Sequence, residues 1–129
     1  MGATAEVSEG HKASMSIFRR LDVVIDDNHG TFLVADGPDN AIVGSLMLIH
    51  KDRRSATVFQ LYVAPEHRRH GVGTSLVEEA ALIARLSHCE TIAVEMIKTN
   101  AIAALFYKSL GFEFAYEANP TSIIMTKRL

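Results

Sequence analysis

Residues 57–87 read TVFQLYVAPEHRRHGVGTSLVEEAALIARLS, and the change of period inside this run constrains the chain more than any other feature. TVFQLYVA (57–64) is rich in β-branched and aromatic residues and stops at Pro65, which cannot donate to a strand ladder. TSLVEEAALIARLS (74–87) places Leu76, Ala80, Ile83, Ala84 and Ser87 along one side, with Glu78, Glu79, Leu82 and Arg85 off it. That spacing is an amphipathic helix. A strand, a glycine-containing basic loop and a helix therefore follow one another directly.

The flanking segments extend the pattern. TFLVAD (31–36) and AIVGSLMLI (41–49) are β-rich runs separated by GPDN, which reads as a hairpin turn, and KDRRS (51–55) is a second polar turn. With 57–64 they imply an antiparallel meander. Downstream, TIAVEMI (91–97) reads as a strand and NAIAALFYKSLG (100–111) as a helix. Asn100 is placed to cap that helix, and Gly111 falls at the position after it that tolerates positive φ. FEFAYEA (112–118) and TSIIMTKRL (121–129) form a last hairpin, turning at Asn119-Pro120. Upstream, MSIFRRLDVVIDD (15–27) sets Met15, Phe18, Leu21 and Val24 or Ile25 at roughly helical spacing and is read as a helix, with DNHG (27–30) a turn. Residues 1–12 are small and polar and are expected to be loose. The order is (α)-β-β-β-α-β-α-β-β, without repeats or low-complexity tracts.

The bulk properties exclude several classes. A chain of 129 residues with 48% hydrophobic and 22% charged residues suits one globular domain. A net charge of −2 supplies no global field for nucleic acid or an anionic membrane, so any anion site must be local. Cys89 is the single cysteine, so no intramolecular disulfide forms and a reducing compartment is the simpler reading. The start has no signal-peptide pattern, Glu6 breaks the myristoylation pattern, and 41–49 is far short of the ~20 residues needed to span a bilayer. A cytoplasmic location is expected.

The loop RRHGVGTSL (68–76) is the candidate site. Backbone N–H groups and the helix dipole converge at such a strand-to-helix turn and stabilise an anion, and Gly71 and Gly73 remove Cβ atoms that would block a pyrophosphate. The alternative is a solvated basic turn. A Walker A loop is ruled out because Thr74-Ser75, not Lys-Ser or Lys-Thr, follows Gly73; a dinucleotide fingerprint is disfavoured by bulky Leu76. His67, His70, His88 and Cys89 lack the spacing of a zinc site, so no metal is expected.

VAPEHRRHGVGTSLVEEA (63–80) followed by NAIAALFYKSLGFE (100–113) resembles the GCN5-related N-acetyltransferase (GNAT) superfamily. The Arg/Gln-x-x-Gly-x-Gly/Ala loop of that family matches Arg68, Gly71 and Gly73. Its second signature matches Asn100, Ala104, Phe106, Tyr107, Leu110, Gly111 and Phe112. The resemblance implies a single N-acetyltransferase domain over 1–129. Its α/β (α+β) fold would have a mixed, mostly antiparallel sheet, splayed central strands and helices on both faces. Family members commonly begin with a strand and two helices that wall the acceptor side; with only ~30 residues before the strand at 31, that part is expected to be abbreviated or missing its first strand, leaving an open cleft or one completed by a second subunit, hence a possible homodimer.

The resemblance also assigns roles. Acetyl-CoA is the implied cosubstrate. Backbone groups of Leu61, Tyr62 and Val63 would meet the pantetheine and thioester. Backbone N–H groups across Arg68, Arg69, His70, Gly71, Val72, Gly73 and Thr74 would hold the pyrophosphate. Asn100 would bond the pantetheine arm, although a plain helix cap is the alternative. Tyr107 would stand near the sulfur as the acid for the thiolate; the alternative is that it packs with Ala103 and Leu110. Some relatives carry a glutamate where this chain has Thr57, and Glu95 on the neighbouring strand is a candidate base, left unassigned. The implied activity is direct acetyl transfer to a primary amine, on a small molecule or peptide. The rival is a non-catalytic acyl-CoA-binding module of the same fold. Neither nucleic acid nor membrane is an expected partner.

Overall fold

A computed structural model describes residues 5–9, 17–38 and 40–129. Among the described residues, eight strands form one sheet in the order β1-β2-β3-β4-β5-β6-β8-β7. The strands are β1 (Ala5–Glu9), β2 (Ile17–Ile25), β3 (Asn28–Asp36), β4 (Ile42–His50), β5 (Ser55–Val63), β6 (Thr91–Ile97), β7 (Glu113–Asn119) and β8 (Ser122–Arg128). Helix α1 (Val72–Leu86) joins β5 to β6, and α2 (Ala101–Ser109) joins β6 to β7. All neighbouring strands are antiparallel except β5 and β6. That single parallel pair follows from the α1 crossover, which returns the chain in its original direction.

Residues 17–25 are a strand, not the expected helix; Met15 and Ser16 lie outside the described residues. Phe18, Leu21 and Val24 fit helical spacing, but local turn chemistry decides. Asp26 and Asp27 both have positive φ, 49° and 64°. Two consecutive left-handed residues make the tight turn whose twist matches a hairpin, and β-branched Ile17, Val23, Val24 and Ile25 favour the extended state. Ile25 therefore faces Asn28, and β3 begins three residues earlier than the sequence suggested. Of residues 1–12, Ala5–Glu9 forms an edge strand on β2, and the others lie outside the described residues.

This hairpin corrects the reading of the acceptor side. A strand ahead of β3 is present; what is missing between it and β3 is any helix, because two residues make the whole connection. The two described helices are neighbours. Crossovers from β5 to β6 and from β6 onward run in the same sense across the sheet, and right-handed connection then puts both helices on one face. Gly73 of α1 lies against Phe106 of α2, consistent with that placement. No helix covers the opposite face among the described residues.

The core lies between that face and the helices. Leu33, Leu46, Leu48, Val58, Ile92, Val94 and Met125 from the strands meet Val72, Leu76, Ala80, Ile83 and Ala84 of α1. Gly44 lets α1 approach: a Cβ there would sit 2.8 Å from Leu76 Cδ1 and 2.9 Å from Val72 Cγ1. A glycine inside an apolar strand often marks such a close approach.

Candidate functional site

The site begins where two strands part. β5 and β6 pair from Ser55–Thr91 to Val58–Val94, yet β5 runs on to Val63 and β6 to Ile97. A gap therefore opens beyond Val58 and Val94. A bulge in β5 marks the same place. The β4–β5 register shifts between Ser45 and Met47, and Gln60 there has φ of 55°. Two residues of β5 then face one of β4, which bends the strand and re-aims its backbone. No sequence signal foretold this, since glutamine is not a residue chosen for positive φ.

Above the bulge the strand regains its register. Gly44 faces Val63, and Ala64 N–H donates to the Val43 carbonyl at 2.8 Å. Backbone groups alternate in direction along a strand, so those of Val63 point away from β4, toward the gap. Arg68 Nε donates to the Val63 carbonyl at 3.0 Å. That side chain clamps the loop to the strand and leaves the Val63 N–H for another partner. Leu61 and Val63 are half-buried, while Tyr62 is exposed.

The loop turns through a short 3-10 segment, Pro65–His67, before α1. Arg69 and Gly71 have positive φ, 66° and 83°. Gly71 stands at the N-cap of α1 without a side-chain cap, and the first turn-closing bond runs from Ser75 N–H to the Gly71 carbonyl at 3.0 Å. The N–H groups of Val72, Gly73 and Thr74 thus have no acceptor within the helix. The helix starts two residues earlier than the sequence suggested, which brings Gly73 and Thr74 into its first turn. Val72 sends its side chain into the core, so only its backbone faces outward. Arg68, Arg69 and His70 are exposed.

Gly73 links the parts. A Cβ on it would lie 3.5 Å from Val63 Cγ2 and 3.4 Å from Phe106 Cζ. The end of β5, the start of α1 and the middle of α2 meet there. Asn100 caps α2, its Oδ1 accepting from Ala103 N–H at 3.0 Å. Tyr107 is buried at 4% exposure, with edge-on ring contacts to Phe106 at 5.0 Å and Phe112 at 5.5 Å. Burial pushes its hydroxyl up to about 12. At neutral pH it is therefore a protonated donor.

Glu95 is exposed in the part of β6 that runs beyond its pairing with β5, and it faces Ile124 of β8. Thr57 is buried within the paired part, opposite Ala93. The histidines and Cys89 do not assemble: His67 and His70 sit on the loop, and Cys89 lies instead 3.7 Å from His50 Nδ1. Among the described residues no group of three or more metal-ligating side chains could hold an ion.

A single mixed sheet that parts at a parallel pair, with helices crossing over it, is the α+β architecture of N-acyltransferases. The chain belongs to the acetyltransferase (GNAT) family, whose model matches residues 4–112. Among characterised relatives, it is 38% identical over 53 residues to aminoglycoside N(6')-acetyltransferase type 1 of Acinetobacter haemolyticus, covering 41% of this chain and 37% of that one. It is 35% identical over 72 residues to human N-alpha-acetyltransferase 30, covering 56% of this chain and 20% of that one. The matched segments thus span well under half of either relative. A GNAT acetyltransferase of Elizabethkingia anophelis, solved with acetyl-CoA bound, superposes with a TM-score of 0.71 at 19% identity, over 78% of this chain and 76% of that one. At that identity the likeness speaks for the fold.

Proposed function

We propose that this protein is an acetyl-CoA-dependent N-acetyltransferase that passes an acetyl group to a primary amine by direct attack on the thioester. The observation that carries the reading is the gap between β5 and β6 opening beside an uncapped, glycine-framed start of α1. A cofactor with an anionic head and a thin arm matches that pair of features. The pyrophosphate would rest on the N–H groups of Gly71–Thr74, where helix dipole and free donors both favour an anion. The arm would enter the gap, with the Val63 N–H toward it. Asn100 would serve α2 first as its cap, leaving its amide nitrogen for the arm.

In the reaction the neutral amine nitrogen bonds to the thioester carbon, and charge gathers on the carbonyl oxygen. A fixed backbone N–H on β5 would stabilise that charge. The carbon–sulfur bond then breaks. Tyr107, held protonated by burial, would give its proton to the leaving thiolate. The ammonium form of an alkyl amine, near pKa ~10.4, must first lose a proton. Glu95 is the exposed carboxylate on the part of β6 beyond its pairing with β5, and no residue is assigned to this step. The relatives named above are an aminoglycoside N(6')-acetyltransferase and an N-alpha-acetyltransferase, so aminoglycoside amines and α-amino groups both belong in the assay.

Incubation with acetyl-CoA and an amine panel should release free CoA thiol in an amine-dependent way. Saturable acetyl-CoA binding without turnover across small and peptide amines would instead favour the binding-module reading, which Thr57 in place of a carboxylate supports.

A further inference from the structure

The proposed transfer leaves its acceptor open, and the sheet face away from the helices bears on it. Both described helices lie over one face, so an amine reaches the gap from the face that no described helix covers. Register tells which side chains it meets there. Thr57 faces Ala93 across β5 and β6, and alternation carries Phe59, Glu95 and Ile97 to the same side. Val58 and Val94, pointing the other way, belong to the core.

The bulge at Gln60 decides one more residue. Unbroken alternation from Thr57 and Phe59 would bring Leu61 to this side and send Tyr62 toward the core. With the bulge, Tyr62 faces Ser45, which shares a side with Met47, the partner of Phe59. Leu61 and Val63 pack against the core instead. Tyr62 and Ile97 therefore stand on opposite banks of the gap, 48% and 62% exposed. Across β8 and β7, Glu95 faces Ile124, and Ile124 faces Tyr116, which is 58% exposed. Single apolar side chains in water need no explanation, but a group of them beside a reacting gap marks a contact surface.

The charges on this face narrow the ligand. Among the described residues no cation pairs with Glu95, whereas Glu117, on the helix side, is engaged by Lys98 at 2.6 Å. Lys51 stands over the Phe59 ring, 5.3 Å from its centroid, and so shares the face. Glu113 shares it too, but opposite Thr126 on the outermost strand. A polyamine or an aminoglycoside carries several ammonium groups and needs several carboxylates. At the gap it would meet Glu95, apolar side chains and a lysine. A single ammonium on an apolar body matches what is there.

We propose that the acceptor is a monoamine with an apolar body, its nitrogen brought beside Glu95 and its body resting on Tyr62, Ile97 and Tyr116. The assignment rests on the acetyl-transfer reading and narrows its substrate class. The test compares rates of CoA release from acetyl-CoA with 2-phenylethylamine, ethanolamine, spermidine and kanamycin. Ethanolamine controls for basicity, since it is a comparable base without the apolar body. The kcat/KM for 2-phenylethylamine should exceed each of the others by about tenfold or more. Ile97→Ser, at an exposed position, should shrink the ratio of 2-phenylethylamine to ethanolamine kcat/KM at least threefold. Spermidine or kanamycin used as well as 2-phenylethylamine, no preference over ethanolamine, or a ratio unmoved by Ile97→Ser overturns the inference and leaves acetyl transfer standing. Acetyl-CoA bound but no amine acetylated overturns both.

Discussion

The two described α-helices begin in opposite ways. α2 is closed by its own sequence: Asn100 accepts from Ala103 N–H at 3.0 Å, and the helix needs nothing from outside. α1 is left open, with left-handed Gly71 at its N-cap and no side-chain hydrogen bond capping its first turn. A cap contributes about 1 kcal/mol to a helix, so an uncapped start is a stability forgone. The α1 helix can forgo it because Val72, Leu76, Ala80 and Ala84 are buried against the sheet. Packing holds this helix, which frees its N-terminus to receive a ligand.

If that division is right, changes at the two helices should separate turnover, affinity and stability. The largest effect is expected from Tyr107→Phe. Removing a general acid typically costs about 100-fold or more in rate. Turnover should drop by that order while acetyl-CoA affinity stays nearly constant; unaltered turnover would remove Tyr107 from the chemistry. Next comes Gly71→Val. A β-branched residue at φ of 83° is strained by ~1–3 kcal/mol, and its side chain would crowd the open helix start. Acetyl-CoA binding, followed by calorimetry, should weaken about tenfold or more. Smaller still is Asn100→Ala, which should lower unfolding stability by about 1 kcal/mol. A Gly71→Val protein that binds acetyl-CoA normally would break the comparison, because the open start would then be only a turn.

Most of the downstream fold was legible because period and punctuation agree there. Pro65, Asn100 and Gly111 stand where strand or helix must change, and Leu76, Ala80 and Ile83 mark a single buried stripe. The misread segment was 15–27, where apolar residues at 18, 21 and 24 satisfy a helical template. The deciding signal was a pair of aspartates in the left-handed region, a turn read one residue late. Of the site, the loop and Asn100 could be read locally. Gln60 could not: its positive φ is imposed by the mismatch of β4 and β5, a relation between strands far apart in sequence. The bond from Arg68 Nε to the Val63 carbonyl was likewise not to be read from the motif. Side-chain allegiance of that kind is set by tertiary distance, not by motif.

The far end of α1 sharpens the comparison by carrying a titration of its own. Burial, and then the neighbouring His29, hold His50 below its usual 6.5, while burial holds Cys89 above its usual 9.0. As pH falls through 6.5, the unfolded histidine gains its proton before the folded one does. The unfolded state then binds more protons, so stability declines and levels off only below the folded value. As pH rises through 9.0, the unfolded thiol loses its proton first, and stability declines again. The pair thus defines a plateau between 6.5 and 9.0. His50 is only half-buried, so its limb should be shallow, the smallest of the effects named here. Denaturant midpoints measured across that range should show both limbs. His50→Gln should flatten the acid limb, and Cys89→Ala the alkaline one. An acid limb that survives His50→Gln unchanged would mean that another group, with His29 the first to examine, carries the proton.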